Sequence, residues 1–119
     1  HSRRTLVKQV DFISAPGKSE AGVYRTGGPV ALLTNLCLFT YDRVSGGFTL
    51  KSVHPGHSLE EVRDQTGFDF VCPDHVPVTP SPDDARLALI RGPVAEQIAD
   101  IYPAFAAQVF ASEPVDSPR

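Results

Sequence analysis

The chain has 119 residues, of which 41% are hydrophobic and 21% are charged, and its formal net charge is -3. This length allows a single domain with one modest core, and the composition is that of a globular protein. The negative charge argues against a nucleic-acid-binding function, which would need a basic surface.

The sequence carries no signal for a membrane or for export. No apolar run approaches the roughly 20 residues that cross a bilayer, and the first residues, HSRR, lack the apolar stretch of a signal peptide. We therefore expect a cytoplasmic protein that does not bind membranes. Because the sequence contains no Met, we also expect residue 1 not to be the natural start of the gene product and a further segment to precede it.

The first half of the chain predicts an extended segment, a loop and a hairpin. Residues 5–13 alternate partly between apolar and polar side chains, as an extended segment with one buried face does, and residues 18–28 are polar and Gly-rich. Residues 30–39 (VALLTNLCLF) are nearly all apolar, which is typical of a strand covered on both faces. Turn residues follow, and residues 48–53 alternate as a half-buried partner strand would. A covered strand needs more neighbours than this chain supplies, so we expect the isolated chain to aggregate or to pair with other polypeptides.

Helix signals begin after the predicted hairpin. Ser58 and Glu61 form the capping-box pattern, and Gly67 predicts a left-handed stop for the helix between them. Residues 68–71 (FDFV) are a candidate for another short strand.

The last third of the chain predicts two helical segments and a tail. Ser81 as N-cap and Pro82 at the first position predict the start of a helix over residues 85–91. Helical apolar spacing continues over residues 94–111. The predicted breaks lie at Gly92-Pro93 and at Pro103, and the predicted tail is 112–119.

Two histidines three residues apart, His54 and His57, raise the question of a metal site. Further ligands would have to come from Asp69, Asp74 or His75. A helical metal pair needs both imidazoles on one face of a helix, whereas Pro55-Gly56 places a turn between these two. We therefore expect no metal site.

The two cysteines, Cys37 and Cys72, are too few for a disulfide scaffold. Cys37 lies inside an apolar run, where a small buried hydrophobe fits, and we expect both thiols to be free and structural. A Cys-His nucleophilic pair stays open as an alternative, because its members need only be adjacent in space.

The Gly-rich loop is a candidate binding element. Gly22, Gly27 and Gly28 could bring backbone N–H groups close to a phosphate or thioester oxygen. The loop lacks the Lys-Ser/Thr of a P-loop, and a flexible surface loop is the alternative interpretation.

Four motifs in this order resemble the B subunit of heteromeric CoA-transferases of the glutaconate type. They are VDFISAPG at 10–17, GPVALLTNL at 28–36, SVHPGHSLEEV at 52–62 followed by TGF at 66–68, and the Pro-containing linker at 77–82. Order and spacing match the family over residues 3 to about 91. The chain resembles the C-terminal half of such a polypeptide.

This resemblance implies an α/β fold, an open sandwich with a largely parallel sheet, of which residues 1–111 would form only the C-terminal portion. It implies a hetero-oligomer, whose partners are a chain like the family's A subunit and the missing N-terminal half of the B subunit. The family moves CoA from an acyl-CoA to a carboxylic acid through a catalytic glutamate, so the coenzyme A thioester is a substrate and no cofactor is bound permanently. That glutamate belongs to a Ser-Glu-Asn-Gly type motif in the N-terminal half, so the resemblance implies no catalytic residue in this chain.

Glu20 and His54 are the other candidates for binding substrate or CoA, beside Gly27 and Gly28. Ser19-Glu20-Ala21-Gly22 imitates the catalytic motif, but it follows the VDF segment and has Ala in place of Asn; the alternative is an ordinary solvated carboxylate. His54 could line an acyl-CoA cleft, or it could stabilise the turn at Pro55-Gly56 by bonding to nearby backbone.

Three functions are compatible with these features. The leading hypothesis is part of a CoA-transferase-like enzyme in which this chain provides scaffold and subunit interface. The second is a hydrolase of the same fold that opens a ring in a CoA-linked substrate, and the third is a non-catalytic assembly module. A Ser-Glu-x-Gly motif in the missing half would favour transfer over hydrolysis.

Overall fold

A computed structural model of the chain describes residues 1–110. The chain divides into two compact units, His1–Pro80 and the residues from Ser81 onward, and each is described by itself. The predicted tail, 112–119, lies outside the described residues. The assignment of 1–111 to one CoA-transferase domain stays a prediction.

The first unit is built on a three-stranded sheet with strand order β1-β2-β3. Its strands are β1 (Ala31–Leu33), β2 (Cys37–Asp42) and β3 (Gly47–Val53), and both neighbouring pairs are antiparallel. The predicted hairpin is confirmed as β2 and β3. Its turn is fixed by Asp42, whose carboxylate accepts from the Val44 N–H at 2.9 Å and from the Ser45 hydroxyl at 2.6 Å. The Ser45 hydroxyl is the main reason why the pKa of the Asp42 carboxyl lies below its usual range.

The single strand predicted over residues 30–39 is wrong, because the chain reverses between β1 and β2. The Thr34 hydroxyl accepts hydrogen bonds from the Leu36 and Cys37 N–H groups at 3.1 and 3.2 Å, and the Thr34 N–H donates to the Cys37 carbonyl at 3.0 Å. Short polar side chains offer the backbone such local bonds in place of a ladder. Leu33 therefore pairs with Leu38 across a second, tighter hairpin.

Parallel pairing occurs only as single bridges among residues 1–110, whereas the resemblance implied a largely parallel sheet. The short turns between β1, β2 and β3 force antiparallel neighbours. Parallel bridges join Thr49 to Val71, Val53 to Val78, and Val7 to Gly67. The strand predicted at 68–71 is therefore one bridge beside β3, with the Val71 N–H donating to the Phe48 carbonyl at 2.8 Å.

The extended segment predicted at 5–13 also lacks a ladder. Its described strand pairing is the single bridge between Val7 and Gly67, and Phe12 and Ile13 lie exposed. The alternating pattern there has no described partner strand to pair with.

Helix α1 (Leu59–Gln65) begins as predicted, since the Ser58 hydroxyl accepts from the Glu61 N–H at 3.1 Å. The predicted left-handed stop at Gly67 is wrong. The helix ends at Thr66 in an extended conformation, and Gly67 is absent from the residues with positive φ. Gly67 instead lies against the backbone of Leu6, and its N–H donates to the Leu6 carbonyl at 2.8 Å.

The core of the first unit lies between the sheet and α1. Alternation along β2 buries Cys37 and Phe39, and α1 contributes Val62. The other buried core residues are Leu36, Leu50 and Val53. Around Phe39 stand the rings of Phe48, Phe68 and Phe70, with centroids 6.0, 6.1 and 5.1 Å away.

The second unit is helical. It contains α2 (Asp84–Leu89), a π-helical segment (Ile90–Val94), α3 (Ala95–Ile101) and α4 (Pro103–Phe110). The N-cap of α2 is Asp83 and not Ser81 as predicted, because the Asp83 carboxylate accepts from the Arg86 N–H at 2.8 Å. The predicted break at Gly92-Pro93 is confirmed by the non-helical backbone of Gly92, and the predicted restart at Pro103 by the start of α4.

Within residues 1–110, the helices are all too short or too polar to cross a membrane.

Candidate functional site

His54 follows β3 directly, and both of its ring nitrogens are engaged within the protein. Nε2 lies 2.8 Å from the Thr34 carbonyl oxygen, and Nδ1 lies 2.8 Å from the Thr79 hydroxyl. A carbonyl can only accept, so the tautomer that fits both partners carries its hydrogen on Nε2 and accepts at Nδ1. The Thr79 oxygen then accepts from the Ser52 hydroxyl, 2.7 Å away.

This network ties three segments of the first unit together. Through its ring, His54 connects the turn between β1 and β2 to Thr79, which lies in the segment that follows α1. The backbone N–H of His54 donates to the Leu36 carbonyl at 2.9 Å. Both ring nitrogens are therefore used for positioning the chain. The geometry favours the turn-stabilising interpretation of His54 over substrate binding.

Replacing His54 with Ala should lower the free energy of unfolding by about 1–3 kcal/mol, because the Thr34 carbonyl and the Thr79 hydroxyl lose their partner in a part-buried site. His57→Ala is the matched control. That imidazole makes an exposed contact to Glu61 at 2.9 Å, which is worth about 0–1 kcal/mol. Urea unfolding of both variants measures the difference. Equal stabilities, or a stable His54 variant whose assembly has lost turnover, would contradict the structural role.

The residues considered for a metal do not converge. His54 and His57 bond to different partners, as given above. Across residues 1–110, no group of three or more His, Cys, Asp or Glu side chains is placed to hold a metal ion.

The structure brings one cysteine and one histidine together. Cys37 Sγ lies 3.9 Å from His1 Nδ1, and the same imidazole bonds to the Thr34 and Thr66 hydroxyls at 2.8 and 2.9 Å. Burial raises the pKa of the Cys37 thiol, and the thiolate is the nucleophilic form. Because Cys37 is fully buried, a structural thiol is the better interpretation than a nucleophilic pair. Both cysteines are free, as predicted.

Three of the four predicted binding residues meet at one place, and His54 is not among them. Glu20, Gly27 and Gly28 line an open depression of about 190 Å³, here called the loop depression. Its other lining residues are Gly17, Lys18, Ser19, Val23, Arg25, Pro29, Tyr41 and Arg43.

The glycines of the loop depression are needed for its shape. Gly27 and Gly28 have φ of 89° and 135°, which residues with a side chain rarely adopt. A Cβ on Gly28 would also lie 3.3 Å from the Gly17 carbonyl oxygen. Gly17 and Gly28, at the two ends of the loop, therefore lie close together where they line the depression.

Sequence reasoning missed the cations of the loop depression. Lys18 and Arg25 belong to the Gly-rich loop itself, so their proximity to Gly27 was available as a signal. Arg43 comes from the turn after β2 and reaches the Gly28 and Pro29 carbonyls. Only the pairing of β1 with β2 brings it there.

No protein-family model matches the chain. Among curated proteins, it is 33% identical over 96 residues to the B subunit of 3-oxoadipate CoA-transferase from Pseudomonas knackmussii. It is 30% identical over 95 residues to the cholesterol ring-cleaving hydrolase IpdB subunit of Rhodococcus jostii. Each alignment covers 76% of this chain, and the chain spans 37% and 38% of the two relatives.

Solved structures show a similar fold. Glutaconate coenzyme A-transferase from Acidaminococcus fermentans matches with a TM-score of 0.68 at 24% identity, covering 95% of this chain and 42% of that one. This likeness confirms the predicted α/β fold of the CoA-transferase type. The decarboxylase AibA/AibB matches with a TM-score of 0.56 at 32% identity, covering 76% of this chain and 33% of that one.

Proposed function

We propose that this chain, which is related to the B subunit of the CoA-transferases over three quarters of its length as its motifs predicted, is part of a cytoplasmic enzyme. That enzyme moves CoA between an acyl-CoA and a carboxylic acid. The observation that carries the proposal is the 33% identity over 96 residues to the B subunit of a 3-oxoadipate CoA-transferase. In this enzyme the chain provides scaffold and subunit interface. Its partners are a chain like the family's A subunit and the N-terminal half of the B subunit, and the CoA thioester is a substrate and not a resident cofactor.

Exposed apolar side chains support an interface role. In the first unit, Phe12 and Leu33 are 82% and 69% exposed, and Leu33 ends β1 at the edge of the sheet. Of the described residues of the second unit, only Ala106 is buried, although α3 and α4 carry several large apolar side chains. Exposed apolar side chains of this size are available for contacts with other polypeptides.

The catalytic glutamate belongs, in this proposal, to a part of the enzyme outside residues 1–119. Glu20 is the residue here whose surroundings imitate the family's motif, and its side chain lies exposed in the loop depression. A nucleophilic carboxylate needs a pocket that orients it towards the thioester carbon. An open loop provides no such orientation.

Ring hydrolysis is the second candidate function, and the observation that favours it is the 30% identity to the IpdB subunit. Transfer is preferred because the CoA-transferase relative is more similar over the same share of the chain. The two reactions differ in their intermediate. Transfer passes through a glutamyl-CoA thioester, and hydrolysis of a ring does not require one.

The test is to isolate the chain with every polypeptide that copurifies, and then to incubate the complex with an acyl-CoA and borohydride. Borohydride reduces a glutamyl thioester, so mass spectrometry should find a reduced glutamate on a copurifying chain. Complex without acyl-CoA is the control for reduction, and in the Glu20→Gln variant the adduct should still form on that copurifying chain.

Each other outcome contradicts part of the proposal. An adduct on Glu20 would place the nucleophile in this chain. No adduct together with ring opening of a CoA-linked substrate would favour the hydrolase, and no CoA chemistry at all would favour an assembly module. A monodisperse, stably folded monomer in sedimentation would contradict the interface role.

A further inference from the structure

We infer that the loop depression of the first unit binds a phosphate group. The assignment of that group to CoA rests on the proposed function, whereas the site itself does not. The residues that carry the inference are Lys18, Arg25, Arg43 and Tyr41.

The first support is charge. The chain as a whole has a net charge of -3, yet the residues that line the loop depression include three cations, Lys18, Arg25 and Arg43, and one carboxylate, Glu20. The Asp42 carboxylate, outside this lining, also attracts Lys18, so cations still outnumber carboxylates by three to two. A concave surface lined mainly by one sign of charge attracts ligands of the other sign. The local excess of positive charge therefore favours an anionic ligand.

The second support is the hydrogen-bonding capacity of these cations. Lys18 Nζ is 3.5 Å from the Val44 carbonyl oxygen, and Arg43 reaches the Pro29 and Gly28 carbonyls at 3.4 and 3.5 Å. These bonds are at the long limit, and they use one of three donors on the Lys18 ammonium and two of five on the Arg43 guanidinium. Arg25 donates through one guanidinium nitrogen to the Pro16 carbonyl and keeps its other donors. Charge-assisted bonds to phosphate oxygens are shorter and stronger than bonds to neutral carbonyls.

Tyr41 and the glycines complete the surface. Tyr41 lines the depression, and its ring is held by packing against Phe48 with centroids 5.2 Å apart. Gly27 and Gly28 line the depression with backbone alone. An anion can therefore approach the backbone closely on that side.

The size of the loop depression selects the ligand class. Pockets for whole drug-sized molecules run from about 300 to 1,000 Å³, whereas this one measures about 190 Å³. It has room for one phosphate or pyrophosphate group, with the rest of a larger ligand outside. The phosphates of CoA and those of another phosphorylated compound share this chemistry.

The most informative test compares the change in binding affinity on removing the charge of Glu20 with that on removing the charge of Lys18. The Glu20 carboxylate lines the same depression and opposes an anion, so Glu20→Gln should tighten binding, while Lys18→Gln should weaken it. Because salt screens charges at an exposed site, we expect each change to shift affinity about three- to tenfold. Lys51→Gln, an exposed lysine outside the depression, removes the same charge and should change little.

The experiment is calorimetric titration of inorganic pyrophosphate into the chain, isolated with the polypeptides that copurify, for the natural sequence and these three variants. Thermal melting checks that each variant is folded. If Lys18→Gln does not fold, tighter binding of pyrophosphate by the Glu20→Gln variant is the result that supports the site. Equal effects of Lys18→Gln and Lys51→Gln, or no change with Glu20→Gln, would overturn the site.

Competition by CoA separates the two sources of the phosphate. CoA that displaces pyrophosphate, and that itself binds more weakly to Lys18→Gln, supports both the site and its role in the proposed enzyme. Pyrophosphate binding that CoA does not displace supports the site with a different phosphorylated ligand and leaves the transfer experiment to decide the enzyme. Absence of pyrophosphate binding overturns the site even where the glutamyl adduct is found.

Discussion

Replacing Phe39 with Ala should lower the free energy of unfolding of the first unit by about 3–5 kcal/mol. Phe39 is 0% exposed and lies on β2 at the centre of the core. Its ring contacts three other phenylalanines, with the Phe70 centroid only 5.1 Å away in an edge-to-face arrangement. The substitution would remove this packing and leave a cavity that β2, held on both sides by ladder bonds, cannot close.

Phe12→Ala is the matched control, because the same side chain there is 82% exposed. Its unfolding free energy should change by less than about 0.5 kcal/mol. In thermal melting, a loss of about 3 kcal/mol in a unit of this size lowers the midpoint by about 12 °C or more. Similar midpoints for the two variants would show that the core does not lie where the structure places it.

Local features of the first unit were predictable from sequence. The hairpin of β2 and β3 depends on turn residues within a few positions of each other, and Asp42 and Ser45 make the bonds that such residues favour. The start of α1 likewise depends on one side chain, Ser58. Short-range chemistry of this kind is fixed by adjacent residues, so a single sequence is enough to find it.

Long-range pairing was not predictable in the same way. Residues 68–71 have the composition of a strand but make one parallel bridge, and the segment at 5–13 makes another. Whether an extended segment forms a ladder depends on the neighbours it finds, and its own composition does not specify them. The break at Thr34 shows the opposite case, since one hydroxyl in an apolar run was enough to turn the chain.

The candidate site was predictable in part. Glu20, Gly27 and Gly28 belong to one loop of the sequence, and the structure places all three around the loop depression. The sequence did not predict Arg43 as part of the site, because β1 and β2 separate it from that loop along the chain. The motif around His54 does not indicate the partner of its ring, because Thr79 lies 25 residues away along the chain.

Gly67→Ala should destabilise the first unit by about 1–3 kcal/mol, through a mechanism that the sequence did not suggest. A Cβ at this position would overlap with the Leu6 carbonyl oxygen and would lie 3.3 Å from the Val7 Cα. Both are backbone atoms, so no side-chain rotation can relieve the contact, and the bridge between Val7 and Gly67 would have to open. Gly47→Ala is the control, since the nearest atom there is a side-chain oxygen at the ordinary contact distance of 3.5 Å.

Gly67→Asn separates this close approach from a left-handed helix stop. Asn adopts the left-handed conformation more readily than other residues with a side chain, so it would substitute well for a glycine chosen for positive φ. Because Gly67 does not have positive φ, Asn should be at least as damaging as Ala. Urea unfolding of the three variants measures this order, and an Asn variant as stable as the natural chain would restore the left-handed stop. The TGF motif is then explained by backbone contact: its glycine lets the first residues of the chain pack against the end of α1.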